Sequence, residues 1–138
     1  MAVTRCNGKC VISFRNKEQY ETNKKIYEKN LKWIPNLINY NDEDKTLTIE
    51  KIGRSLSEKY HGSMLSRYLP KMRMLSKKFY SSFGIYHNDM RYKNVLEDSN
   101  GKLYLIDFEY ATKSLEKGNK RPIPKYVRRG KLYNFNMR

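Results

Sequence analysis

The chain has no apolar run near the ~20 residues that a membrane-spanning helix needs, so no such span is expected. Its first residues, Met1-Ala2-Val3-Thr4-Arg5-Cys6, lack the apolar stretch of a secretory signal. A soluble intracellular protein is the expectation. Acid is scarce: 14 Asp and Glu stand against 29 Lys and Arg, a net charge of +15 over 138 residues. That imbalance predicts attraction to polyanions such as nucleic acid, nucleotides or acidic proteins. Cysteine is limited to Cys6 and Cys10. A C-x-x-x-C pair with no further Cys or His cluster makes a poor zinc site. The two could face each other across a hairpin, but a reducing compartment favours free thiols. No internal repeat is visible.

What is present suffices for one domain or a compact two-lobed one, with 38% hydrophobic residues, 12 Tyr and 5 Phe to build a core. Residues 3–14 read as a β-hairpin turning at Asn7-Gly8. Residues 17–33 are rich in helix formers, with Tyr20, Lys24, Tyr27 and Leu31 near a helical period. Pro35 ends that helix. Leu37–Tyr40 and Thr46–Glu50 read as strands around the acidic turn Asn41-Asp42-Glu43-Asp44. From Met64 to Phe83, apolar residues Leu65, Leu69, Met72, Leu75, Phe79 and Phe83 recur every three or four positions. This predicts an amphipathic helix with a basic outer face, kinked or started late by Pro70 and stopped by Gly84. Residues 113–138 contain Gly118, Pro122, Pro124 and Gly130 and read as an irregular extension. From Ala111 to Arg138 nine Lys and Arg meet one Glu, a local charge of +8.

The densest signal is Tyr86-His87-Asn88-Asp89-Met90-Arg91-Tyr92-Lys93-Asn94, followed by Leu105-Ile106-Asp107-Phe108-Glu109. It spells H-x-D-x-x-x-x-N, then an apolar strand ending in D-F. Asp89 precedes Asn94 by five positions and Asn94 precedes Asp107 by 13, room for one hairpin with its corner at Asp98-Ser99-Asn100-Gly101. Both spacings resemble those of the protein-kinase-like superfamily, closest to its atypical RIO-like and aminoglycoside-phosphotransferase-like members. The upstream order of strand, helix, strand, strand and hinge is similar as well.

The resemblance implies an α+β fold: a truncated two-lobed kinase-like architecture, with a small antiparallel sheet, a helix C and a reduced helical lobe. It divides the chain into a small lobe and hinge (1–53), a reduced catalytic lobe (54–112) and a basic tail (113–138). It implies ATP and Mg²⁺ as cofactors. Asp89 would orient the attacking hydroxyl, and Arg91 would sit by the transferred phosphate. Asn94 and Asp107 would bind metal. His87 would buttress the loop. Ile49 would lie behind the adenine, with Glu50 and Ile52 offering backbone groups to its edge. Glu21 would be the helix-C carboxylate, with Glu28 second, although both also suit a solvated face beside Lys24, Lys25 and Lys29.

Other family features are missing. G-x-G-x-x-G is absent, and Val11-Ile12-Ser13-Phe14 has no Lys where the third-strand Lys belongs. Arg15, Lys17 and Lys9 are the nearest substitutes. No A-P-E element or run of helices follows Asp107. The reading is therefore a minimal kinase acting on a Ser/Thr hydroxyl of a protein. The rival is a degenerate pseudokinase, a binding or structural module whose tail grips nucleic acid or an acidic protein. A pure nucleic-acid binder explains the charge but not the motif spacing. A partner chain or a second copy would cover apolar surface on the 64–83 helix. Reduced chains of this kind are similar to those of large DNA viruses, and the Asn/Lys/Tyr-rich composition suits an AT-rich genome, with host cytoplasm or virion as the location.

Overall fold

The computed structural model describes residues 2–112. The fold is α+β, with antiparallel sheets and few helices, as a truncated kinase-like chain should have. The expectations for the basic tail at 113–138 lie outside the described residues.

The first sheet contains β1 (Val3–Asn7), β2 (Lys9–Ser13), β3 (Leu37–Asn41) and β4 (Thr46–Glu50), in the order β1-β2-β4-β3 and antiparallel throughout. Alternation sends Cys10 and Ile12 of β2 and Leu47 and Ile49 of β4 to the buried face. Gly8, at φ +78°, makes the tight corner between β1 and β2, which sets Cys6 directly opposite Cys10. The two are joined as a disulfide, with Cα atoms 4.1 Å apart, contrary to the expected free thiols. The register sets them face to face, as the hairpin allowed, and that proximity overrides the compartment argument.

Helix α1 (Lys17–Glu28) begins where the Asn16 side chain accepts from the Glu18 and Gln19 N–H groups at 2.7 and 3.1 Å. It stops at Glu28 rather than Trp33, because Asn30 turns left-handed at φ +54°. Tyr20 donates to Asp42 at 2.6 Å, which ties α1 to the β3–β4 turn. Leu31 and Trp33 still pack on the core from the connection that follows.

The second sheet is β5 (Arg54–Ser55), β6 (Val95–Glu97) and β7 (Leu103–Leu105), in that order. The β6–β7 corner is held by Asp98, whose carboxylate accepts from the N–H groups of Asn100 and Lys102, both at 2.9 Å. A capping box between Ser55 and Glu58 starts α2 (Leu56–Lys59). The expected 64–83 helix is split. A single turn, α3 (Ser63–Ser66), precedes α4 (Leu69–Phe83), because Pro70 fits only the first turn of a helix. Gly84, left-handed at φ +68°, caps α4. Met72, Leu75 and Phe79 of α4 complete a core that runs on into β2, β4, α1, Val95 and Phe108. Among the described residues no helix is long and apolar enough to cross a membrane.

Candidate active site

A cleft of about 660 Å³ opens where the first sheet meets the second. Cys6, Cys10, Ile12 and Phe14 line it from the β1–β2 hairpin, and Leu96, Ile106 and Asp107 from the opposite side. Glu50, Lys51, Ile52 and Gly53 close its back as the crossing between the two sheets. Gly53 is required there, since a Cβ at this position would lie 2.2 Å from the Glu97 carbonyl oxygen. Glu97 anchors the far side of that contact. Its buried carboxylate accepts from Lys59 Nζ and Tyr60 Oη at 2.6 Å and from Tyr68 Oη at 2.8 Å. Burial alone would raise its pKa, but the three donors outweigh burial and hold it below the ordinary Glu value.

The expected hinge residues Glu50 and Ile52 both line the cleft. The Glu50 N–H is taken by the Asn36 carbonyl at 2.9 Å, and the Glu50 carboxylate accepts from the Asn36 N–H at 2.8 Å. Glu21 is not among the residues lining the cleft. Helix α1 instead turns Asn23 and Tyr27 inward, both buried, while Glu21 is half-buried on a neighbouring face. The cleft-facing residues of β2 are apolar, so no cation enters from that strand. Lys51, Arg54 and Lys93 are the cations on the cleft among the described residues.

Behind the cleft the H-x-D-x-x-x-x-N segment folds into a buried polar knot. Asn94 donates through Nδ2 to Asp89 twice, to the backbone oxygen at 2.8 Å and to Oδ2 at 3.0 Å. That fixes the Asn94 amide and leaves its Oδ1 as the oxygen available to a cation. Arg91 Nε lies 3.2 Å from Asp89 Oδ1. The Asp89 side chain is fully buried and is not part of the cleft wall. His87 Nδ1 accepts the Asp89 N–H at 3.1 Å, so Nε2 carries the proton and donates to the Ile106 carbonyl at 2.9 Å. Burial holds the His87 pKa below its ordinary value, against the opposing pull of the Ile106 hydrogen bond and of Asp107 and Asp89. The imidazole is neutral and structural, as expected of it.

Asp107 is tied to this knot through its neighbours. The Ile106 N–H donates to the Asn94 carbonyl at 3.0 Å. Phe108 is buried among the rings of Tyr27, Phe79 and His87, with centroids 5.3, 5.4 and 5.5 Å away. Between these anchors Asp107 is left-handed at φ +64°, and Asn88 is left-handed at φ +66°. Such positions cost about 1–3 kcal/mol and persist only where the surroundings impose them. Asn88 offsets its cost by donating to the Tyr110 carbonyl and to Thr112 Oγ1 at 3.1 and 3.0 Å, stitching the loop to the segment after D-F-E.

The structure thus brings together Asp89, Arg91 and Asn94, and sets Asp107 on the cleft beside them. Sequence reading missed Asn23, Tyr27, Asn88 and Lys93. The i, i+4 spacing of Asn23 and Tyr27 places both on one face of α1, beside the carboxylate candidates Glu21 and Glu28.

A family model for choline/ethanolamine kinase matches residues 11–117, which include the end of strand β2, α1, the hinge, the buried knot and Asp107. The chain belongs to the choline/ethanolamine kinase family. It is accordingly a kinase-like phosphotransferase of the protein-kinase-like superfamily, a family that uses ATP and Mg²⁺. No curated protein matches the chain.

Proposed function

We propose that this family member binds ATP·Mg²⁺ in the cleft and transfers the γ-phosphoryl group to the hydroxyl of a small amino alcohol. The observation that carries the reading is the Asn94 amide, pinned by Asp89 and hydrogen-bonded through its backbone to the residue before Asp107. Asn94 Oδ1 and the Asp107 carboxylate are hard oxygen donors of the type Mg²⁺ takes. Among the described residues no three His, Cys, Asp or Glu side chains cluster as a complete metal cage. That fits a cation whose remaining ligands are phosphate oxygens and water. Bound there, Mg²⁺ would neutralise charge on the transferring phosphoryl group.

The chain's own residues supply the rest. The Glu50 carbonyl and the Ile52 backbone meet the adenine edge, with Ile49 behind the base. Asp89 aligns the acceptor hydroxyl and takes its proton. Arg91, already within ion-pair distance of Asp89, meets the charge on the phosphoryl oxygens. The family name favours a small acceptor over the Ser/Thr protein side chain expected from sequence. That expectation leaned on the lack of helices after Asp107, and from residue 113 on that stretch lies outside the described residues.

A second reading, nucleotide binding without transfer, is favoured by one observation. The cleft faces of β2 and α1 present Cys10, Ile12, Asn23 and Tyr27, with no Lys–Glu pair. Release of ADP by purified protein separates the two. Choline or ethanolamine should stimulate it, a Ser/Thr peptide should not, and Asp89→Asn should abolish it. Stimulation by the peptide alone would restore the protein-acceptor reading. No acceptor-dependent release, with ATP binding intact, would leave the second reading standing.

A further inference from the structure

In place of a helix-C carboxylate, α1 turns an uncharged polar row toward the catalytic side: Gln19, Asn23 and Tyr27, four residues apart. Gln19 Nε2 donates to the Glu109 carbonyl at 3.3 Å, and Asn23 Nδ2 donates to the Gln19 carbonyl at 2.8 Å. Tyr27 differs from both. Its side chain is 1% exposed, yet its hydroxyl has no hydrogen-bond partner. Tyrosines buried this deeply almost always place the O–H on an acceptor. The ring is held edge-on against Phe108, next in sequence to Asp107, and Tyr27 and Asp107 line the same cleft. Burial, with the Asp107 charge adding to it, pushes the phenol pKa far up, so the group stays a neutral donor at every working pH.

We propose that Tyr27 is a positioning residue for Asp107, its hydroxyl donating to the carboxylate oxygen that does not face the metal. A carboxylate with one oxygen on a cation keeps the other for an outer donor, and such donors orient the ligand. The buried hydroxyl without a partner is then the donor that a metal-bound Asp107 would take up. It does from α1 what a charged pair would otherwise do, linking the helix to the metal-bearing residue. The inference rests on the ATP·Mg²⁺ reading above.

The test is Tyr27→Phe, which removes one oxygen and keeps every ring contact with Phe108. Thermal melting is followed at fixed saturating ATP while Mg²⁺ is titrated, for the wild type and Y27F. The Mg²⁺ concentration giving half of the melting shift should rise about 10–100-fold in Y27F, the usual effect of losing an outer donor to a metal ligand. Without ligand, Y27F should melt at or above the wild-type temperature, since a buried hydroxyl lacking a partner has been removed. An unchanged half-effective Mg²⁺ concentration in Y27F, with a normal wild-type shift, would overturn this inference and leave the nucleotide reading intact. A wild-type shift that ignores Mg²⁺ would overturn it as well. No wild-type shift at all would remove both.

Discussion

Acidification should destabilise this chain through His87. The imidazole is fully buried, neutral, and committed at both nitrogens: Nδ1 accepts the Asp89 N–H and Nε2–H donates to Ile106. Protonation would turn the Nδ1 acceptor into a donor facing an N–H, in a site already closed to water. The folded pKa is therefore lowered while the unfolded chain keeps the ordinary value of 6.5. Below about pH 6.5 the unfolded chain binds a proton that the native chain refuses. The stability that follows is fully present above that pH and is lost as the pH falls. One proton gives a slope of at most about 1.4 kcal/mol per pH unit, hence up to about 2 kcal/mol between pH 6.5 and 5. Glu97 does not contaminate this window, because its lowered folded pKa costs stability only below the ordinary Glu range. Urea unfolding followed by the single Trp, Trp33, at half-unit steps from pH 7.5 to 5 measures the slope. His87→Asn should be less stable at pH 7.5 but flat across the window. A wild-type profile equally flat, or a variant that keeps the slope, would refute the assignment.

Phe108→Ala should cost about 3–5 kcal/mol, the range for emptying a fully buried aromatic site, and should remove the anchor that holds Asp107 left-handed; the urea midpoint measures the first effect and ATP·Mg²⁺ melting shifts the second. Gly53→Ala should destabilise by about 1–3 kcal/mol, because its new methyl group meets the Glu97 backbone oxygen, and neither partner is a side chain that could swing away. Glu97→Gln should lower the stability measured by urea unfolding by about 1–3 kcal/mol at pH 7, since the amide nitrogen replaces one of the two accepting oxygens and the charge opposite Lys59 is lost. The wild-type advantage over that variant should shrink as the pH falls below about 4.5, the ordinary value for Glu, where the unfolded chain takes up the proton that the folded carboxylate still refuses.

The parts legible from sequence were those with local causes. Gly8 and Gly101 as corners, Gly84 as a stop and Pro70 as a late start each act within a few residues, and the elements lie close to where those residues imply. The H-x-D-x-x-x-x-N and D-F spacings were equally local, and the knot of Asp89, Arg91 and Asn94 follows from them. What escaped is set by packing between segments distant in sequence. Which face of α1 looks into the cleft depends on how the helix sits against Phe108 and β2, so Asn23 and Tyr27 were hidden behind Glu21. The left-handed turn at Asn30 shortened α1 where composition alone favoured continuing to Trp33. The disulfide depended on strand register, whereas the free-thiol expectation depended on compartment.

The measurement that tests the central claim most directly is calorimetric titration of ATP into the full chain, with and without Mg²⁺, beside Asp107→Asn. Saturable binding that strengthens with Mg²⁺ and loses that Mg²⁺ dependence in Asp107→Asn is the predicted result. Absence of binding at millimolar ATP, or binding that Asp107→Asn leaves unchanged, would contradict a nucleotide–metal site built on Asn94 and Asp107.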